Sequence, residues 1–188
     1  MSVTPPEKEI IVFDKNFISQ HPCKFFIKEG KTVTNDDGIT VFNCNDEINK
    51  VIVSSNNNPL FNVQCNALNY PIEKLTIYSD SNNAKVISSI KIKRSFLKKK
   101  FIIDFFNKTI NKNESLNMEC DGSYTSCEIY YGKKKEGAPM LCKILKLNTP
   151  SEKDYSIELA SKVDYLFMVA IAICQMKLNL NTYHMTSS

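Results

Sequence analysis

Lysines are the side chains best suited to chemistry in this sequence, and they are concentrated in two short stretches. The first holds six basic residues within ten positions, namely Lys91, Lys93, Arg94, Lys98, Lys99 and Lys100. The second is a run of three, Lys133, Lys134 and Lys135, in a segment typical of a turn. Ammonium groups near an anionic membrane surface attract it by about 1 kcal/mol each. Lysines also keep an exposed strand edge from pairing, and the sequence leaves both interpretations open.

Three consecutive lysines fit poorly into a strand. Lys98 and Lys100 share one face, whereas Lys99 takes the other with Phe101. Neither face is then clearly apolar, so a bulge or a strand end is expected at this point. Such an irregularity lets all three ammonium groups reach solvent. Under the lipid hypothesis the candidate binding site is the whole first stretch.

Catalytic and metal-binding patterns are weak. The two histidines are His21 and His184, and only His21 has a thiol nearby, that of Cys23. Adjacent residues rarely place a ring nitrogen on the neighbouring sulfur, so a catalytic pair is not expected. No Cys-x-x-Cys pair occurs among the seven cysteines, and neither a metal site nor a cofactor is predicted. We predict that the protein is not an enzyme.

The cysteines are predicted to be free thiols. The sequence begins without an apolar stretch after a basic start, so a cytoplasmic, reducing location is expected. Cys65, Cys120 and Cys127 fall in the inward phase of their predicted strands, where a thiol acts as a small apolar group.

The net charge is modest, with 24 basic residues against 20 acidic ones. All but one of the basic residues are lysines, and Arg94 is the exception. Bidentate recognition of bases favours arginine, and no aromatic residues alternate with the lysines to stack on bases. Nucleic acid is therefore not an expected partner.

The elements that must position these side chains are mostly strands. Apolar residues recur at every second position over most of the chain, for example Phe25 and Ile27, Leu116 and Met118, or Ile90 and Ile92. Clusters of Asn, Asp, Gly and Ser separate these stretches and indicate tight turns. The pattern predicts a series of antiparallel hairpins with one apolar face.

A helix is predicted at the end of this series. Ten apolar residues run without a break from Tyr165 to Cys174, after a potential capping box from Ser161 to Asp164. The expected helix covers residues 163–178, which is shorter than the roughly 20 apolar residues of a membrane span. A helix that is apolar all round must be enclosed all round. We therefore expect the sheet to curl around it, and prefer this interpretation to a membrane anchor.

The ordered series of hairpins resembles the LURP-one-related family, which is similar to tubby C-terminal domains and phospholipid scramblases. Residues 32–42, 50–63 and 74–90 match its first three hairpins, and Val163-Asp164-Tyr165 matches the entry to its closing helix. The resemblance covers residues 10–178. It implies an antiparallel barrel of about twelve strands around a central helix, with no established enzymatic activity. It also implies phosphoinositide or phospholipid binding.

Together these observations predict one barrel domain over residues 10–180, with a flexible N-terminus at residues 1–9 and a polar tail at residues 181–188. The leading hypothesis is a cytoplasmic domain, peripheral to a membrane, that binds anionic headgroups or a protein partner. The alternative is a signalling adaptor with no small ligand. A carrier of an apolar ligand is disfavoured because the helix fills the barrel. No transmembrane segment is expected.

Overall fold

The computed structural model describes residues 2–47, 50–65, 74–80, 82–93, 99–151 and 153–186. Within these residues twelve antiparallel strands close into one barrel around a long helix, which confirms the predicted architecture. The strands are β1 (Cys23–Lys28), β2 (Thr32–Asn35), β3 (Thr40–Glu47), β4 (Lys50–Ser55), β5 (Asn58–Cys65), β6 (Lys74–Ser79), β7 (Lys85–Lys93), β8 (Lys99–Asn107), β9 (Lys112–Cys120), β10 (Ser126–Tyr130), β11 (Met140–Lys146) and β12 (Tyr155–Leu159). Two short 3-10 turns cover Lys15–Phe17 and Lys134–Glu136.

The barrel is a meander in which each strand pairs with its neighbours along the chain. It closes where β12 pairs with β1, placing Ile157 opposite Phe25. Tight turns make this order possible, because asparagine tolerates the left-handed conformation that they require. Asn56 and Asn57, for example, have φ of 49° and 65° between β4 and β5.

The inward face of the barrel is the one that the alternation predicts. Phe25, Ile27, Leu116 and Met118 are all buried. Ile92 is a correction, since it was expected to share the buried face with Ile90 but is 40% exposed. It lies next to Lys93, the last described residue of β7, although its partner across the ladder, Phe101, is buried.

The helix α1 (Tyr165–Thr186) occupies the interior of the barrel. Its side chains from Leu166 to Met176 are buried around the full circumference, as a helix without a polar face requires. No helix in the described part of the chain has the length and hydropathy to cross a membrane. The helix also runs to Thr186 rather than ending at Leu178, the boundary expected from the sequence.

The helix is capped by Asp164, so the expected capping box at Ser161 is wrong. The Phe167 N–H donates to Asp164 Oδ1 at 3.1 Å, which is the usual bond of an N-cap. Lys162 has a φ of 65°, and this left-handed residue turns the chain between Ser161 and the first helical turn. A helix cannot pass through that conformation, so it begins after it.

The Asp164 carboxylate also holds the segment that precedes β1. The N–H groups of Val12 and Phe13 donate to its Oδ2 atom at 3.0 and 2.7 Å. The backbone of Ile10 exchanges two further hydrogen bonds with this region, to the carbonyl of Lys162 and from the N–H of Asp164. One buried carboxylate thus joins the helix start to residues 10–13.

The other end of the helix is tied to the turn between β9 and β10. Gln175 Nε2 donates to the carbonyl of Tyr124 at 2.8 Å, and Asn179 Nδ2 donates to that of Ser123 at 2.5 Å. The Tyr155 hydroxyl donates to Asn179 Oδ1 at 3.0 Å. Polar groups on the helix therefore close this end of the barrel.

A disulfide joins Cys120 to Cys127, which corrects the prediction that all seven cysteines are free thiols. The two residues are directly opposite each other in the β9–β10 ladder. Both point inward, so their sulfur atoms meet. Cys23, Cys44 and Cys142 remain thiols. The side chain of Cys65 lies outside the described residues.

Candidate functional site

The predicted lysine site is divided by the structure. Lys91 and Lys93 lie at the end of β7 and Lys99 and Lys100 at the start of β8, whereas Arg94 and Lys98 lie outside the described residues. The irregularity expected at the three lysines includes Lys98 and so lies partly outside the described residues, in which β8 starts at Lys99. Lys91 pairs with Asp104 at 2.9 Å and does not line the surface cavity, described below, that other lysines share.

Strand register sets charged side chains in a row across the outer face. Lys93 is opposite Lys100, Lys100 is opposite Glu119, and Glu119 is opposite Glu128. The row continues around the barrel through Lys143, Glu158 and Lys24. Like charges directly opposite each other repel, so the Lys93–Lys100 and Glu119–Glu128 neighbours each call for a compensating charge.

The second lysine stretch supplies part of this compensation. The 3-10 turn at Lys134–Glu136 follows β10 and folds back over the outer face of β8 to β10. The two stretches of lysine, far apart in sequence, meet around one surface cavity of about 390 Å³. We call it the lysine groove, and its lining includes Lys93, Lys100, Asn117, Glu119, Tyr130, Lys133, Lys134 and Lys135.

Two short ion pairs fix the position of two lysines that line the lysine groove, Lys100 and Lys134. Lys100 Nζ lies 2.6 Å from Glu119 Oε1, and Lys134 Nζ lies 2.5 Å from Glu128 Oε2. The Lys134 ammonium also lies 5.3 Å from the ring centre of Tyr130, whose hydroxyl donates to Glu128 at 2.7 Å. Hydrogen bonds to Glu128 and Tyr130 raise the pKa of Lys134, so the ammonium stays charged. Burial raises the pKa of the Tyr130 hydroxyl, which remains a donor at neutral pH.

Other lysines of the groove are not neutralised in this way. Lys133 forms an exposed ion pair with Glu136 at 3.0 Å, a contact of little strength. Within the described residues, Lys93 and Lys135 have no carboxylate partner. The groove therefore keeps an excess of positive charge, with five lysines against the three carboxylates that pair with them.

Half of this site does not follow from the sequence alone. The sequence indicates a basic turn at Lys133, Lys134 and Lys135, but not its proximity to Lys93 and Lys100. Glu119 and Glu128 alternate with inward residues on their strands, and neither is a predicted site residue. Hairpin pairing across the short β9–β10 turn was the signal that could have placed these two carboxylates side by side.

The pair His21 and Cys23, considered for catalysis, gains no support. Burial raises the pKa of the Cys23 thiol, which disfavours the nucleophilic thiolate. Among the described residues no group of three or more His, Cys, Asp or Glu side chains is arranged to hold a metal ion.

Comparisons with known proteins bear on the fold. A family model described as LURP-one-related matches residues 16–175, which include all twelve strands and the first half of the helix. No curated protein matches the chain, and no solved structure does.

Proposed function

This chain belongs to the LURP-one-related family, and from that premise we propose that its barrel is a non-enzymatic domain that binds anionic phospholipid headgroups in the lysine groove. The observation that carries the proposal is the convergence of Lys133, Lys134 and Lys135 on Lys93 and Lys100. Strands β7 and β8 and a turn more than thirty residues further along the chain hold these ammonium groups around one cavity. A solvated strand edge needs no such convergence.

The chemistry of the groove suits a phosphate group. Lysine ammonium groups are point charges with three donors each, and they bind phosphate oxygens without a fixed angle. Lys93 and Lys135 lie in the groove with no carboxylate partner among the described residues, so they meet a ligand first. The cytoplasmic leaflet carries the anionic lipids of a cell. The proposal therefore places the protein in the cytoplasm, peripheral to a membrane. The Cys120–Cys127 disulfide is compatible with this location because both cysteines are buried away from soluble reductants.

Vesicle sedimentation tests this proposal with a matched pair of variants. The groove variant, Lys93→Gln with Lys135→Gln, removes two charges from the groove. The control variant, Lys85→Gln with Lys112→Gln, removes two exposed charges at the starts of β7 and β9, the strand ends away from the groove. At about 1 kcal/mol per lysine, the groove variant should bind about thirtyfold more weakly to phosphatidylcholine vesicles containing phosphatidylinositol 4-phosphate. The control variant should stay within about twofold of the wild type, because the attraction falls off within a Debye length of about 8–10 Å and these two lysines lie away from the groove.

Two results would count against the proposal. Equal losses in both variants would show that net charge alone drives binding. A wild-type protein that ignores these vesicles at low salt, where charge attraction is strongest, would reject lipid binding altogether.

A protein-interaction adaptor is the second candidate, and one observation favours it. Val86 and Phe106 are 53% and 43% exposed on the outer face of neighbouring strands β7 and β8, beside one shallow cavity. Large apolar side chains grouped on a surface are typical of protein-binding sites. If the protein binds no lipid, the exposed apolar surface around Val86 and Phe106 is the expected functional surface.

A further inference from the structure

Glu128 does not line the lysine groove itself but contacts two residues that do, Lys134 and Tyr130. It is the acceptor for both the Lys134 ammonium and the Tyr130 hydroxyl, and its side chain is 25% exposed. It also lies directly opposite a second carboxylate, Glu119, which is 16% exposed and paired with Lys100. Two of the five lysines in the groove are therefore already engaged by partly buried carboxylates.

An anionic ligand must compete with these carboxylates for the lysines. The ligand and Glu128 compete for Lys134, because this lysine belongs to a short turn on the surface and its side chain is 32% exposed. A phosphomonoester carries a charge of about −1.5 to −2 and three strong acceptor oxygens. A carboxylate carries −1 and two oxygens, and a phosphodiester likewise carries only −1. The monoester is thus the ligand with the charge to take Lys134 from Glu128.

We propose that Glu128 is an internal competitor for the ligand, holding Lys134 over Tyr130 and yielding it to a phosphomonoester but not to monoanionic lipid headgroups. This inference rests on the proposed function and adds the ligand class and the residue that selects it. Lys93 and Lys135 attract the ligand, and Lys134 completes its binding once the carboxylate has been displaced.

The test is removal of the competitor. Glu128→Gln keeps the shape and an acceptor for the Tyr130 hydroxyl but removes the charge. It should bind phosphatidylinositol 4-phosphate vesicles about fivefold more tightly than the wild type, the effect of one charge at a membrane surface. Adding Lys134→Gln to this variant should abolish the gain. Glu158→Gln, which removes a carboxylate from the same charged row on β12, is the control and should leave affinity unchanged.

Several results separate the inference from the proposed function. A wild type that binds, with no gain in Glu128→Gln or with the same gain in Glu158→Gln, overturns the inference and leaves lipid binding standing. A gain that survives Lys134→Gln overturns it as well, because the competitor would then act on another group. Absence of vesicle binding in every variant, together with no binding of soluble inositol 1,4-bisphosphate, rejects both.

The ligand class is tested by comparing vesicles of equal charge. Wild-type protein should prefer phosphatidylinositol 4-phosphate to phosphatidylserine, and equal binding overturns the assignment to a phosphomonoester. Soluble inositol 1,4-bisphosphate, followed by calorimetry, distinguishes the source of the phosphate. Binding to it without sedimentation on vesicles supports the monoester site and rejects the membrane part of the proposed function.

Discussion

The buried carboxylate of Asp164 should make the stability of the barrel depend on pH. Burial raises its pKa to about 6 from 3.8, although hydrogen bonds from the N–H groups of Phe13, Phe167 and Val12 offset part of the effect. The folded protein therefore holds the proton more tightly than the unfolded chain does. The stabilisation is fully present below pH 3.8 and is lost as the pH rises through about 6.

The size of the effect follows from the difference between the two pKa values. Each pKa unit corresponds to about 1.4 kcal/mol, so the contribution of Asp164 to the free energy of unfolding falls by about 3 kcal/mol across this range. That is a large share of the roughly 5–15 kcal/mol that stabilises a domain. Asp154 acts in the opposite direction, because hydrogen bonds from Glu29 and Thr149 outweigh its burial and lower its pKa. The stability that Asp154 contributes is lost only as the pH falls below 3.8, whereas the stability that Asp164 contributes is lost between pH 3.8 and about 6.

Urea unfolding at a series of pH values from 3.5 to 7.5 measures the effect, with Asp164→Asn as the reference. The asparagine has no titration, so the difference in unfolding free energy between the two proteins isolates Asp164. We expect the wild type to lose about 3 kcal/mol relative to the variant between the two ends of the series. A difference that stays constant with pH would refute the argument, since it would mean that the folded and unfolded states bind the Asp164 proton equally tightly.

The remaining predictions concern the interior. Ala170→Asp places an unpaired carboxylate in the fully buried centre of the helix, at a cost of several kcal/mol, and the variant should be insoluble or molten; a soluble variant that melts like the wild type would contradict the enclosed helix. The Cys120–Cys127 disulfide closes a loop of about eight residues, so reduction should lower the unfolding free energy by about 2 kcal/mol. Intact mass spectrometry should find the native protein two hydrogen masses lighter than the reduced one, and equal masses would restore the prediction of free thiols.

Local pattern was enough to predict the strands and the helix. Ile27 and Met118 are buried because period-two alternation places them on the inner face, and the unbroken run from Tyr165 requires enclosure. The cap was misplaced because Ser161 and Asp164 both fit an N-cap by type. Only the backbone conformation of Lys162 decides between them.

Contacts across strands were harder to predict. Whether Lys100 faces Glu119 depends on the register between β8 and β9, and a shift of one residue would put Glu119 inside the barrel. Sequence order alone does not give the position of Lys134 over β10, because that depends on the path of a turn. The disulfide was missed for another reason. The sequence predicts a reducing compartment and hence free thiols, whereas the pairing of Cys120 with Cys127 depends on the register of two strands across a short turn.

The closure of β12 on β1 has a consequence for how the chain is made. During synthesis the strands emerge in the order in which they pair, so each hairpin can form locally, and local contacts form fast. The seam between β1 and β12, however, joins the first strand to the last. The helix that fills the interior is made later still. Until it leaves the ribosome, side chains such as Phe61 and Ile103 have nothing to pack against. A nascent chain with an open, apolar sheet is prone to aggregation, so release of the helix is the step that protects this barrel.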